Sequence, residues 1–191
     1  KLKKEKNAVI LAHYYVDEDV QDIADYIGDS FYLSKVATKV DQDRIIFAGV
    51  EFMGESAKIL NPDKRVFMPD MNADCPMAHM ADKEEILKLR EEYDDLAVVC
   101  YINSTAELKK YSDVCVTSSN AVKIVKNLPN KNIFFIPDRN LGHFVAKQCP
   151  DKNFIFNNGC CPRHVVITKE MVEKAKAEHP LAKFAAHPEC T

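Results

Sequence analysis

The sequence predicts an α/β fold built from repeated parallel-sheet units, the third of them truncated. Three observations lead there. Short apolar runs alternate with amphipathic stretches along the whole chain. The runs are apolar at successive positions, as strands covered on both faces require. The chain can also be laid over itself at a fixed spacing. With only five Gly and neither a G-x-G-x-x-G nor a P-loop pattern, an ordinary dinucleotide or ATP fold is excluded.

In order, "KLKKEK" reads as a helix end feeding a strand. The "AVILA" that follows is too short for a signal h-region and lacks a cleavage site. Residues 7–15, 44–50 and 65–70 read as strands of a first unit, with "VQDIADYI" and "FYLSKVATKV" as helical segments between them. Residues 96–102, 113–118, 132–138 and 153–158 read as strands of a second, entered through the helix "ADKEEILKLREEY". The expected organisation is 1–80 for the first unit, 81–180 for the second, and 181–191 for the first strand of a third. Lys183 to Ala186 form that strand.

Self-comparison supports this division. Residues 74–105 lie over 160–191 at a shift of 86, placing Cys75-Pro76 on Cys161-Pro162 and Tyr101 and Asn103 on His187 and Glu189. A shift of 88 places His13 and Tyr15 on Tyr101 and Asn103. The chain then holds two units and the opening strand of a third, and completion would take roughly another hundred residues. The absence of an initiator Met points to trimming at the front as well.

At 191 residues and a net charge of −3, the chain can bury roughly 70% of its unfolded surface. It carries no basic stripe of the kind that binds nucleic acid or a membrane surface. No apolar run of about 18 residues is present to span a bilayer. Seven Cys in a chain of cytosolic appearance favour metal binding or burial over disulfides. Cys100 and Cys115, inside "AVVCYI" and "DVCVTS", are expected in the core, and Cys149, before a Pro at a helix end, is expected to be structural.

Ligands of parallel sheets bind at the carboxyl ends of the strands. Three polar pairs fall there: His13/Tyr15, Tyr101/Asn103 and His187/Glu189. Residues two apart on an extended chain face the same side. A single Tyr or His at a strand end is commonly structural, but three equivalent pairs point to a site. "GDS" (28–30) and "TSSN" (117–120) precede helical stretches, where their Ser and Asp residues cap or hold a carboxylate or phosphate. Cys75 and Cys161 each precede a Pro, the residue favoured in a first helical turn, and a Cys at a helix start is biased toward the thiolate that ligates metal. Their equivalence predicts a third Cys about 86 residues beyond Cys161. Three such Cys suit a cubane cluster with one iron open; two buried thiols are the plainer reading. Cys75, His79, Cys161 and His164 could alternatively form a Cys2His2 zinc site, although the two His are not at equivalent offsets.

"ILAHYYVDEDVQDIADYIGDS", "GVEFMGESAKILNPDKRVFMPD", "DCPMAH", "YINST", "TSSNAV", "PDRNLG", "NGCCPRH" and "HPEC" together resemble the quinolinate synthase family, the A protein of de novo NAD biosynthesis, over residues 7–191. The resemblance implies three similar α/β domains about a pseudo-threefold axis, with a C-terminal third outside this chain. It implies a [4Fe-4S] cluster on three Cys, of which Cys75 and Cys161 match two, with Cys160 in a variable position. The reaction implied condenses iminoaspartate with dihydroxyacetone phosphate to quinolinate, with loss of phosphate and water. Tyr15, Tyr101 and Glu189 match catalytic residues, and His13, Ser30, Asn103, Ser118 and His187 match residues that hold substrate groups. A cytoplasmic location, L-aspartate oxidase as supplier of iminoaspartate, and inactivity of these 191 residues by themselves are further expectations. A plain small-acid binding module, using "GDS" and "TSSN", is the non-enzymatic alternative.

Overall fold

A computed structural model describes residues 1–190, which form two compact units, the first Lys1–Cys75 and the second beginning at Pro76. The first unit runs α1 (Leu2–Glu5), β1 (Ala8–His13), α2 (Glu18–Asp22), β2 (Tyr26–Gly28), α3 (Ser30–Ala37), β3 (Arg44–Ala48), α4 (Glu51–Leu60) and β4 (Arg65–Phe67). Its sheet is parallel, in the order β2-β1-β3-β4. The second runs from a 3-10 turn (Pro76–His79) through α5 (Lys83–Glu92), β5 (Leu96–Tyr101), α6 (Ala106–Lys110), β6 (Val114–Val116), α7 (Ala121–Asn127), β7 (Asn132–Ile136), α8 (Arg139–Gln148), β8 (Asn153–Phe156) and α9 (Lys169–Glu178). Its parallel sheet has the order β6-β5-β7-β8.

The repeat holds in the hydrogen bonds as well as the topology. Ala8 pairs with Arg44 and Leu96 with Asn132, each position displaced by 88 residues. Asp25 accepts the Ile10 N–H at 2.9 Å and returns its own N–H to the Ile10 carbonyl. Asp113 does the same with Val98, accepting at 2.7 Å. A cation braces each aspartate: Lys3 at 2.8 Å on Asp25 and Arg90 at 2.8 Å on Asp113. Lys64 donates to the Ala37 and Val40 carbonyls, and Lys152 to those of Leu128 and Asn130. An apolar strand becomes central because both its faces are covered, and β5 is buried at every position. Ile86, Leu96, Val98, Cys100, Leu108, Phe134 and Ile136 pack together as one core cluster.

Three expectations are corrected. "VQDIADYI" is helical only over its first part; Asp25 draws the following residues into β2, an edge strand whose Tyr26 and Ile27 are exposed. Cys115 is exposed, because β6 is also an edge strand and its middle position lies open. Residues 181–186 are irregular and exposed, with no strand at Lys183 to Ala186. A strand exists only where a neighbour supplies its ladder, and both four-stranded sheets are complete without that segment. The helix preceding it does match its repeat partner: α5 starts on Asp82 and α9 on Thr168, each capping through its side chain. Among the described residues, no helix is long and apolar enough to cross a membrane.

Candidate active site

In the first unit, His13 ends β1 and is buried. The chain turns immediately, with the Val16 N–H donating to the His13 carbonyl at 3.1 Å. Tyr15 therefore does not continue the strand face: its side chain is 87% exposed, although its ring centroid stays 4.5 Å from that of His13. The Tyr15 N–H donates to His13 Nδ1 at 3.3 Å, so the neutral imidazole carries its proton on Nε2. Burial holds the His13 pKa below 6.5, against an opposing pull from the Asp29 charge. Asp29, not Ser30, caps α3, accepting the Tyr32 N–H at 2.7 Å. That leaves the Ser30 hydroxyl at the first helical position without a capping task.

The second unit assembles more. Tyr101 ends β5 and is buried; Ser118 follows β6; Glu189, in the C-terminal turn, is 1% exposed. The Tyr101 phenol is held well above its usual pKa by burial first. The Glu189 charge, the hydrogen bond to that carboxylate and the Asp138 charge add to the rise, and the Ser118 hydroxyl bond works against it. Ser118 is free to do this because "TSSN" does not cap through its serines. Asn120 Oδ1 instead accepts the Thr117 N–H at 2.7 Å, and Thr117 bonds to Ser119 at 2.9 Å. Asn103 lies in the turn after β5, partly buried.

His187 and Glu189 repeat the His13 arrangement: the Glu189 N–H approaches His187 Nδ1 at 3.4 Å. The His187 ring stacks on His164, with centroids 4.7 Å apart and planes at 22°. His164 Nδ1 lies 3.0 Å from Glu189 Oε2, and His187 Nδ1 lies 3.6 Å from Oε1. Yet His164 Nδ1 and Glu189 Oε1 are both buried and without a hydrogen-bond partner. Polar atoms left so are costly, and these two converge beside Cys161. Its Sγ, a His164 nitrogen and a Glu189 oxygen all lie within 4.8 Å of one another.

That convergence is the test of a metal here. Unsatisfied donors around a thiol are what a metal would satisfy, and Cys161 supplies the soft ligand an iron–sulfur cluster takes. Cys75 ends the first unit, directly before the Pro76–His79 turn. Cys161 opens a turn, 162–166, rather than a regular helix. What fixes Cys161 is Asp138, a residue that reading strand ends for polar pairs missed. It is fully buried; one carboxylate oxygen caps α8 through the Leu141 N–H at 2.7 Å and the other accepts the Cys161 N–H at 2.8 Å. An Asp between a strand and an amphipathic run was the available signal. Asn140 also escaped notice; its amide donates to the Glu189 carbonyl at 3.0 Å.

The chain is similar to known proteins along its whole length. The family model described as Quinolinate synthetase A protein matches residues 1–191. Curated relatives include a quinolinate synthase from Fusobacterium nucleatum, 62% identical over 190 residues covering all of this chain and 64% of that protein. Others are the quinolinate synthases of Caldicellulosiruptor saccharolyticus, 54% identical over 99% of this chain and 62% of the relative, and Clostridium perfringens, 54% identical over 100% and 64%. The chain thus spans somewhat under two thirds of these relatives.

Proposed function

The chain belongs to the quinolinate synthetase A protein family, and on that premise we propose that it is part of a quinolinate synthase of NAD biosynthesis, a transferase/dehydratase-type enzyme. It condenses iminoaspartate with dihydroxyacetone phosphate to give quinolinate, phosphate and water. The observation that carries the reading is a buried carboxylate, Glu189, set against a phenol held protonated, Tyr101, beside the thiol of Cys161. A protonated phenol beside a buried carboxylate offers a donor and an acceptor for successive proton transfers.

Cys75 and Cys161 hold two corners of a [4Fe-4S] cluster. When bound, that cluster supplies a Lewis-acidic iron that polarises a substrate oxygen or nitrogen and eases loss of water. The other tasks belong to side chains. Tyr101 donates a hydrogen bond to a substrate oxygen and returns a proton to a leaving hydroxyl. Glu189 accepts the protons released in imine formation and enolisation. His13 and His187, each receiving an N–H on Nδ1, present Nε2–H to substrate carboxylates or phosphate. Ser30, Ser118 and Asn103 hold the same anions and hydroxyls, and Tyr15 closes over them from its exposed turn. An L-aspartate oxidase supplies the unstable imine, and both work in the cytoplasm. The 191 residues by themselves are inactive, since the resemblance puts the third cysteine ligand beyond them.

Glu189→Gln in the full-length enzyme tests this. Quinolinate turnover should fall about 10²–10⁴-fold, the usual worth of a positioned acid–base group, while iron content stays unchanged. Undiminished turnover would remove Glu189 from the chemistry, and quinolinate formation by the 191 residues alone would overturn their assigned inactivity. A second reading has its own observation: a thiol, an imidazole and a carboxylate within 4.8 Å also suit a single zinc. Zinc is colourless and a cluster is brown, so a visible spectrum separates them.

A further inference from the structure

The two cysteines expected to be inert core, Cys100 and Cys115, are neighbours. They are register partners in the parallel pair β5–β6, so both side chains leave the sheet on the same face. Strands so paired lie about 4.8 Å apart, inside the Cα separation of roughly 4.4–6.8 Å that a disulfide spans. The two thiols are near enough for each to shift the other's ionisation. One is accessible and the other is not: Cys115 is exposed on the edge strand and Cys100 is fully buried on the central one.

We propose that Cys100 and Cys115 form a peroxide-oxidisable dithiol, in which the exposed Cys115 is oxidised and the buried Cys100 resolves it to a cross-strand disulfide. The exposed Cys115 sulfur attacks a peroxide oxygen as its proton passes to the neighbouring Cys100 thiolate, breaking the O–O bond and releasing hydroxide. The Cys100 thiolate then attacks the Cys115 sulfenic sulfur and expels the second hydroxide. Two protons from the thiols convert both hydroxides to water, so that two thiols and one hydrogen peroxide give one disulfide and two waters. The surroundings favour loss of the first proton. The interaction with Cys115 and the Ser104 and Ser112 hydroxyls, helped by the Lys109 charge, outweigh burial and bring Cys100 down to about 7, while the same interaction pushes Cys115 up; Cys100 is therefore the thiolate that takes the Cys115 proton during the first attack. The repeat partners of this pair are Ala12 and Ile27, so the dithiol belongs to the second unit alone.

The link lies next to the candidate site. Cys100 immediately precedes Tyr101 and donates to the Tyr101 carbonyl at 3.4 Å, and Cys115 is three residues before Ser118. A bond between β5 and β6 therefore fixes the spacing of the strands that carry the Tyr101–Ser118 pair.

The test treats the full chain with a small excess of hydrogen peroxide, blocks remaining thiols and maps tryptic peptides without reduction. Residues 91–109 contain Cys100 as their one cysteine, and residues 111–123 contain Cys115. The expected result is a linked pair of these peptides lighter by two hydrogens than their sum, lost on treatment with dithiothreitol and absent in Cys115→Ser. That substitution lies at an exposed edge position and does not depend on refilling the core. Linkage should also form faster in the native chain than in urea. Peptides that remain unlinked overturn the proposal, whether Cys115 stays reduced, oxidises further or pairs elsewhere. Linkage no faster than in the unfolded chain overturns it too, since strand register would then not be its cause.

Discussion

Gly159→Ala should separate the loop that carries Cys161 from the sheet beneath it. A Cβ at position 159 would lie 2.6 Å from the Pro137 carbonyl oxygen, 2.8 Å from Asn157 Nδ2 and 2.8 Å from Met80 Cβ. Two of these are backbone or next to it, and the third is not loose. The Asn157 amide donates to the Pro137 carbonyl at 2.7 Å and to the Met80 carbonyl at 3.0 Å. Relief requires either giving up those bonds, about 1 kcal/mol each, or moving the loop that the Arg139 N–H holds to the Gly159 carbonyl at 2.9 Å. Overpacking of this kind costs roughly 1–3 kcal/mol. A loss of about 3 kcal/mol corresponds to a fall in Tm of roughly 6–24 °C for domains of this size range. Gly142→Ala is the comparison, because its Cβ would meet the Phe135 and Phe156 rings at 3.1 Å, contacts that ring rotation can ease. Thermal melts with iron loading of the full-length protein form the assay, and Gly159→Ala should lose both stability and iron while Gly142→Ala keeps its iron. Equal stability of the two variants would refute the packing argument. A destabilised Gly159→Ala with full iron loading would refute the link to Cys161.

Other expectations concern the frame of each unit. His13 has a folded-state pKa below 6.5, so the unfolded chain takes up the proton first. Its contribution is complete above about pH 6.5 and is lost as pH falls from there toward the lowered value. Urea melts at pH 7.5 and 5.5 should show a larger acid loss for wild type than for His13→Gln; equal losses would mean His13 is not the group. Asp113→Ala removes the Val98 and Arg90 bonds. It should cost about 1 kcal/mol at this half-exposed position, read as a shifted urea midpoint, and an unchanged midpoint would count against it. For Asp25, burial raises the carboxyl, but the Lys3 bond, the Ile10 N–H and the Lys3 charge more than offset it and hold it below 3.8. Its share of stability is present above about pH 3.8 and is lost below, so Asp25→Asn should flatten the acid limb of the stability profile.

The strands were legible because a buried parallel strand must be apolar at successive positions, and 44–50 or 132–138 admit no other reading. The repeat was legible because equal folds put equal residues at equal spacing; Asp25 and Asp113 make the same bonds 88 residues apart, and Lys64 and Lys152 share one of theirs, to the Val40 and Leu128 carbonyls. Edge strands were harder. Tyr26–Gly28 is three residues long and carries exposed side chains, so periodicity favoured a helix until Asp25's tie to Ile10 became visible. Cys115 was misread for the same reason: "DVCVTS" has a core composition, but an edge leaves one face open. Lys183 to Ala186 match a strand by repeat, and what they lack is a neighbour, which no local pattern reports. Tyr101 was singled out from its strand end and Glu189 from the repeat alone, whereas the closeness of Glu189 to His164 and Cys161 depends on turns whose course only the folded chain reveals.

The central proposal is that Cys161 and Cys75 would each supply a thiolate to an iron–sulfur cluster. Iron, zinc and acid-labile sulfide, measured with a visible spectrum after anaerobic reconstitution of the full-length protein and of its Cys161→Ser variant, test it most directly. The account predicts a brown protein with about four irons and four sulfides per chain, and a variant that has lost most of both. A colourless protein carrying one zinc, or a Cys161→Ser variant as brown as its parent, would contradict it.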